Sequence, residues 1–235
     1  MMKVFALAVL PVLGACSAFP SAQMHLPPAL EALQSQPIAG IDGWTHGRFD
    51  VAGHTGYYER SETRLNVFDL FDRRSAHARF TMTGALTGET IEADCRMRER
   101  AITFESISLT TKPMAYRCEF LSDGRPLPAR FELQESVSNL AAALARYERR
   151  GEIAFGGDIV KIQSVHRLRG SPFTTEAPIG YRFEQAGRAV AAVELNGKPR
   201  LFLSEDIEPS LQQTVIIAAL AVSLLWDPAS SNLGE

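Results

Sequence analysis

Residues 215–226 read Val-Ile-Ile-Ala-Ala-Leu-Ala-Val-Ser-Leu-Leu-Trp, with no charge anywhere in the run. Pro209 suits a first helical position, because its missing N–H would go unpaired there in any case. Asp227-Pro228 ends the helix, since the residue before a proline is driven out of the α region. A helix is therefore expected from Pro209 to Trp226, apolar on every side after its first turn. Such a helix is stable only where all of its sides are covered. A membrane span would be one covering, but crossing takes ~20 mostly apolar residues, more than this run supplies. Gln212 and Gln213 precede it, and no Lys or Arg follows it as a topological anchor. The expectation is a helix buried in protein.

The rest of the chain offers mostly short strands to bury it. Ser75 to Thr83 alternates, with Ala76, Ala78, Phe80 and Met82 on one face and His77, Arg79, Thr81 and Thr83 on the other, the pattern of a half-buried strand. Glu89 to Arg98 repeats it with Ile91, Ala93, Cys95 and Met97 inward. Tyr116, Cys118 and Phe120 line a further strand, and Phe131 and Leu133 another. Trp44 to Val51, Arg64 to Phe71, Asp158 to Leu168, Ile179 to Glu184, Ala189 to Leu195 and Arg200 to Leu203 complete the set. Ile102 to Leu109 changes phase halfway, which reads as a bulge within one strand. Asp123-Gly124 and Asn196-Gly197 are turn signals, and Phe155-Gly156-Gly157-Asp158 reads as a tight turn. Ser138 to Arg150 breaks the series: Leu140, Leu144 and Tyr147 recur at helical spacing, and Arg146, Arg149 and Arg150 suit a helix C-terminus. It is expected as a surface helix. The fold class that follows is all-β, a barrel or barrel-like sheet of many short antiparallel strands around or against the apolar C-terminal helix.

The N-terminus carries an address. Lys3 and the apolar run Val4 to Leu13 form a secretory signal, set aside from the fold. Leu13-Gly14-Ala15-Cys16 resembles the lipobox of bacterial lipoproteins. That resemblance implies residues 1–15 as a signal peptide, cleavage before Cys16, and acylation of Cys16 and its new amino terminus. Two or more acyl chains give stable anchoring. Ser17, rather than an aspartate, then implies the outer membrane, facing the periplasm. Residues 16–42 hold Pro20, Pro27, Pro28 and Pro37 and read as a semi-extended tether, with a short helix within Pro28 to Leu33. The domain follows at 43–228, with a tail at 229–235.

The order of elements, a β-meander closed around the Thr214–Trp226 helix, resembles the Tubby C-terminal-like fold of Tubby proteins, phospholipid scramblases and LURP-one-related proteins. The resemblance covers about Gly43 to Asp227 and implies a twelve-strand barrel around a hydrophobic helix. No functional residue of that family carries over. The outer-membrane lipoprotein receptor is a second comparison of similar size and address. It implies instead a half-open barrel around a greasy cavity, without such a helix.

The 235 residues are 46% hydrophobic and carry a formal charge of −3, a balance that disfavours nucleic acid as the main partner, since phosphate binding needs a basic surplus or patch. Gly-x-Ser-x-Gly, His-Glu-x-x-His, P-loop and paired Cys-x-x-Cys patterns are absent from the sequence. His46, Asp50 and His54 are the nearest approach to a metal or acid–base cluster, and no cofactor or metal is expected there. Arg96, Arg98 and Arg100, spaced by two, project from one strand face. With Arg73 and Arg74 nearby they could hold lipid headgroup phosphates. The blander reading is a solvated face partly neutralised by Glu92, Asp94 and Glu99. Cys95 and Cys118 both fall inward. An oxidising periplasm favours a disulfide between them. A simple meander would instead set them two strand spacings, ~9.5 Å, apart, beyond the ~7 Å a disulfide spans between Cα atoms. The disulfide is the expectation, with buried thiols as the alternative. Together these features point to a membrane-anchored envelope lipoprotein in a non-enzymatic binding or structural role, its expected partners a membrane through the lipid anchor and a lipid or an envelope protein. The alternatives are a carrier or sensor of lipid or another apolar ligand, and a hydrolase whose site is not recognised.

Overall fold

The computed structural model describes residues 22–42, 45–67, 71–84, 88–104, 107–136 and 147–227. Among them run α1 (Pro28–Glu31), β1 (Gln36–Pro37), β2 (His46–Val51), β3 (His54–Val67), β4 (Phe71–Thr83), β5 (Thr90–Phe104), β6 (Ile107–Ser122), β7 (Arg125–Glu135), β8 (Arg149–Phe155), β9 (Asp158–Val165), β10 (Gly180–Gln185), β11 (Arg188–Glu194), β12 (Arg200–Leu203) and α2 (Pro209–Leu224). The twelve strands form one antiparallel sheet in which β2 to β12 neighbour one another in chain order. The segment around β1 closes it into a barrel. Gln36 and Pro37 pair with Leu201 and Arg200 of β12, and two residues on Ala39 exchanges both backbone hydrogen bonds with Asp50 of β2. Gly40 turns the chain there with φ 84°, and a Cβ on it would strike the Arg48 carbonyl at 1.9 Å. Only glycine fits so close an approach.

The C-terminal helix fills the barrel. Val215 to Ala221 have no exposed surface. The alternations that point strands inward are all present: Ala76, Ala78, Phe80 and Met82, then Ile91, Ala93, Cys95 and Met97, then Tyr116, Cys118, Phe120, Phe131 and Leu133 are buried against α2. Lengths match as well. The 16 residues of α2 span ~24 Å, and the six to eight residues of β8 to β11 span ~20–27 Å. Thr214 Oγ1, near the start of α2, donates to the Phe155 carbonyl at the β8–β9 turn. Near its end the Tyr116 hydroxyl donates to the Ala221 carbonyl at 3.1 Å, one of the carbonyls a helix terminus leaves unpaired.

At that second end lies a buried ionic cluster. Arg149, with no exposed side chain, sits 2.8 Å from Asp227 and 3.2 Å from Glu135. Burial works against the Arg149 cation, but the two carboxylates outweigh it and bind its proton more tightly than usual. Burial likewise pushes the Glu99 carboxyl up, against the pull of Arg74 and Arg149.

Four expectations need correction. Ile102 to Leu109 is not a bulged strand. β5 ends at Phe104, β6 begins at Ile107 and the two are hydrogen-bonded neighbours; the change of phase is a chain reversal. Arg64 to Phe71 is likewise split between the end of β3 and the start of β4. The surface helix does not reach Arg150: residues 137–146 lie outside the described residues, and Arg149 and Arg150 open β8, where pairing with β7 and the inward pull of Asp227 and Glu135 override local helical spacing. Over residues 22–42 the tether is packed on the domain. Met24, Leu26 and Leu30 bury against Ile179 and Ala192 on the outside of the sheet, and Ile38 and Ile41 join the main core. The apolar residues between the prolines explain this. The run Val190 to Val193, buried at every position, follows too, since one face meets α2 and the other the strap. The signal segment and Cys16 lie outside the described residues.

Candidate functional site

The hairpins β3–β4 and β5–β6 are far longer than the barrel needs. Their strands hold 13 to 16 residues, ~44–54 Å, about twice the length of α2. They overhang the barrel at the end where α2 terminates, and the register across them defines the outer face. Leu65, Arg73, Arg100 and Lys112 form one cross-strand row. Thr63, Ser75, Arg98 and Ala115 form the next, and Ser61, His77, Arg96 and Arg117 the one after. Across these four strands the rows contain no Asp or Glu, although the third continues on β7 with Glu132 opposite Arg117. On β3 to β6 acid enters in the following row, Glu59, Arg79, Asp94 and Glu119.

Arg96, Arg98 and Arg100 thus share one exposed face, as their spacing predicts. Arg73 joins them, standing directly opposite Arg100. Arg74 does not: it points to the other face, 2.9 Å from Asp72. Glu99 also turns inward, so it cannot neutralise the stripe as expected. Both departures follow from the two-residue strand period. Arg96 is held 3.1 Å from Asp94 and Arg117 2.8 Å from Glu132. Arg73, Arg98 and Lys112 make no ion pair among the described residues. At Asp94 burial opposes the charge, but His77 and Arg79 beside it outweigh that and keep its carboxyl below the usual range. A concavity of about 360 Å³ opens on this face, lined by Ser61, Thr63, Arg73, Ser75, His77, Arg96 and Arg98. Its donors suit an anion, and guanidinium pairs bidentately with phosphate. Lys112 and Arg117 do not stand out in the sequence, because nothing local pairs the strand that carries them with the arginine strand.

That pairing also places the cysteines. Cys95 and Cys118 stand directly opposite one another on β5 and β6, with Cα atoms 4.0 Å and sulfurs 2.05 Å apart, at disulfide distance. The objection that a strand separates them disappears with the hairpin.

His46 and His54 lie near opposite ends of the β2–β3 hairpin, roughly 17 Å apart along the strands. His54 turns its ring to the Ala52 carbonyl and His46 to Thr45. Among the described residues no group of three His, Cys, Asp or Glu side chains could hold a metal ion.

Three other hollows open on the described surface, and the second of them mixes its polar groups with Ile41, Ile179, Leu195, Val222 and Leu225. A cleft of about 680 Å³ runs over Glu132, Glu152, Lys161 and Glu184. A cavity of about 370 Å³ at the barrel mouth is lined by Arg60, Tyr181, Ser223 and Asp227. Arg60 there lies over the Trp226 ring, 4.8 Å from its centre. The third, about 530 Å³, holds Ser164 and His166, a pair that no sequence motif marks. The Thr175 carbonyl lies 3.0 Å from His166 Nδ1. A carbonyl only accepts, so Nδ1 bears the proton and Nε2 accepts from the Ser164 hydroxyl at 2.9 Å. No described helix is long and apolar enough to cross a membrane.

No protein-family model matches the chain, and no solved structure matches it. In sequence it is similar to 3-phosphoshikimate 1-carboxyvinyltransferase of Escherichia coli O127:H6 (strain E2348/69 / EPEC), 27% identical over 184 residues, which are 78% of this chain and 36% of that enzyme. The enzymes of the same name from Escherichia coli strain K12 / DH10B and Shigella boydii serotype 18 match with the same identity and coverage. The chain spans 36% of the length of these curated relatives.

Proposed function

We propose that the protein is a lipid-anchored lipoprotein of the bacterial envelope, held by Cys16 at the outer membrane and facing the periplasm, and that it acts by binding through its outer surface rather than by catalysis. The observation that carries this is the filled barrel. With α2 occupying the interior, there is little room for an acyl chain or other apolar cargo, which weighs against a carrier. The outer face of the overhang supplies what a binding surface needs: exposed arginines in register, a concavity among them, and Arg73, Arg98 and Lys112 without an ion pair among the described residues. The disulfide-distance pair fits an oxidising compartment. The similarity to carboxyvinyltransferases spans about a third of their length, and no activity is taken from it. Native mass spectrometry of the protein extracted from its own membrane tests the reading. The expected species begins at Cys16, carries acyl chains and holds no small apolar ligand. A stoichiometric apolar ligand would return the carrier to first place.

A hydrolytic reading has one observation in its favour. Ser164 donates to a histidine whose other nitrogen is fixed by the Thr175 carbonyl, the polarity of an activated serine. Against it, the Arg149 N–H already donates to the Ser164 oxygen, as in a pair that only satisfies its own polar groups. Labelling of Ser164 by a fluorophosphonate, lost in Ser164→Ala, would establish the hydrolase. No labelling leaves the pair structural.

A further inference from the structure

We infer that the concavity on the overhang is a phosphoryl-group site that takes the dianionic head of a phosphate monoester between Arg73 and Arg98, over a floor of Thr63 and Ser75. This deepens the surface-binding reading above and rests on it. The first observation is the shape of the rows. The middle row is Thr63, Ser75, Arg98 and Ala115, short side chains except for Arg98. The rows flanking it place Arg73 opposite Arg100 and His77 opposite Arg96. Short side chains between long ones open the hollow of about 360 Å³. Arg98 lies directly across from Ser75, ~5 Å away, and Arg73 lies one row along, ~7 Å. Both guanidiniums can close over the Ser75 hydroxyl. Thr63, Ser75 and Arg98 stand at least four positions along their strands from any residue whose side chain is not described, ~13 Å, so the floor is set by described residues.

The second observation is charge against charge. Arg73 faces Arg100, Arg100 faces Lys112, and Arg96 faces Arg117. Like charges directly opposite one another destabilise an antiparallel pair, and here such placements adjoin. An anion set between them replaces repulsion with attraction. The nearest acid, Asp94, is already shared among His77, Arg79 and Arg96. Arg73 and Arg98 make no ion pair among the described residues, so they are the cations a ligand meets.

The third is the match of ligand to donors. A phosphate monoester carries close to two negative charges at neutral pH and offers three strong acceptor oxygens. Guanidinium pairs with phosphate bidentately. Two unpaired guanidiniums meet that charge, and the Ser75 and Thr63 hydroxyls donate to the oxygen that faces the floor. A phosphodiester brings half the charge and one terminal oxygen fewer, so it leaves part of this donor set unused.

The test uses the full chain carrying Cys16→Ser, so that no anchor contributes. Calorimetric titration with methyl phosphate is set beside titration with dimethyl phosphate. Flotation with phosphatidylcholine vesicles containing phosphatidic acid, a monoester, is set beside vesicles containing phosphatidylglycerol, a diester. The expected result is stoichiometric binding of methyl phosphate, about tenfold tighter than that of dimethyl phosphate. Arg98→Gln should weaken it about tenfold, and Arg73→Gln combined with Arg98→Gln on the order of 100-fold. Both side chains are exposed, so neither replacement threatens the fold. Arg130→Gln, which removes a cation paired with Glu152 on the outer face of β7, should leave binding unchanged. Capture by the phosphatidic acid vesicles alone assigns the phosphoryl group to a lipid headgroup, and methyl phosphate binding without capture assigns it to a soluble molecule; both support the site. Equal binding of the two phosphates, no binding by a protein whose thermal midpoint is intact, or binding unaltered by the double replacement overturns it. A protein partner cross-linked through Lys112 with no phosphate monoester bound overturns it too, while leaving the surface-binding reading in place; an apolar ligand held inside the barrel would overturn that reading instead.

Discussion

Arg149 grips both carboxylate oxygens of Asp227, with Nη2 2.8 Å from Oδ1 and Nε 3.2 Å from Oδ2. The pair joins the first residue of β8 to a residue just past the end of α2, 78 positions later; the helix stops at Leu224, short of the Trp226 expected from the sequence. Neither side chain reaches water freely, so the contact clamps the exit of α2 to the barrel wall. Removing one partner of a buried pair costs more than the pair contributes, because it strands the other charge. Arg149→Met should therefore destabilise by ~3–5 kcal/mol, read from urea denaturation of the chain carrying Cys16→Ser. Adding Asp227→Asn should return part of the loss, since the stranded carboxylate is gone. A cost under ~1 kcal/mol for Arg149→Met, the range of exposed pairs, would mean that the clamp is solvated.

The Cys95–Cys118 pair closes a loop with a sequence separation of 23. In the chain-entropy model that is worth ~3 kcal/mol. Peptide mapping without reductant should recover the two cysteines in one cross-linked fragment, and reduction should lower the denaturation midpoint. Two free thiols in protein purified without reductant would contradict this.

Glu99 makes a pH prediction of definite sign. Burial raises its carboxyl in the folded state above the ordinary value. The folded protein therefore binds that proton more tightly than the unfolded chain, and the carboxylate weakens the fold once pH rises past the folded value. Glu99→Gln should raise the thermal midpoint at pH 7, and the gain should vanish at a pH below the unfolded value, where both forms are neutral. A lower midpoint at pH 7 would show that the Arg74 and Arg149 attractions outweigh the burial.

Much of the barrel is legible in the sequence because it rests on period. Strict alternation in Ala76 to Met82 and in Ile91 to Met97 identifies the inward faces, and the absence of any polar stripe in Val215 to Trp226 identifies the helix they enclose. The pairing of β5 with β6 was not legible. A hairpin at residues 104–107 and a bulge in one strand both change the phase of alternation, and the segment Phe104-Glu105-Ser106-Ile107 lacks the glycine or proline that would mark a turn. That ambiguity separated Cys95 from Cys118 and hid the row that sets Arg73 and Arg100 beside Lys112. Arg149 and Asp227 are invisible for another reason: their partnership spans 78 positions, and nothing local marks an arginine destined for burial. The strap at residues 22–42 is hidden by its proline content, which reads as tether although Met24, Leu30 and Ile38 lie between the prolines.

The filled interior carries both the fold and the proposal that binding occurs outside it. The most direct test is thermal denaturation of the Cys16→Ser chain with and without residues 209–235, beside Leu220→Ala, whose side chain is fully buried in α2. Leu220→Ala should cost ~2–5 kcal/mol through the cavity it leaves, out of a domain stability of ~5–15 kcal/mol. The truncated chain should show no cooperative melt, since the inner faces from Ala76 to Met82 would lie open. A truncated protein that stays soluble and melts cooperatively at an unchanged temperature would contradict the account.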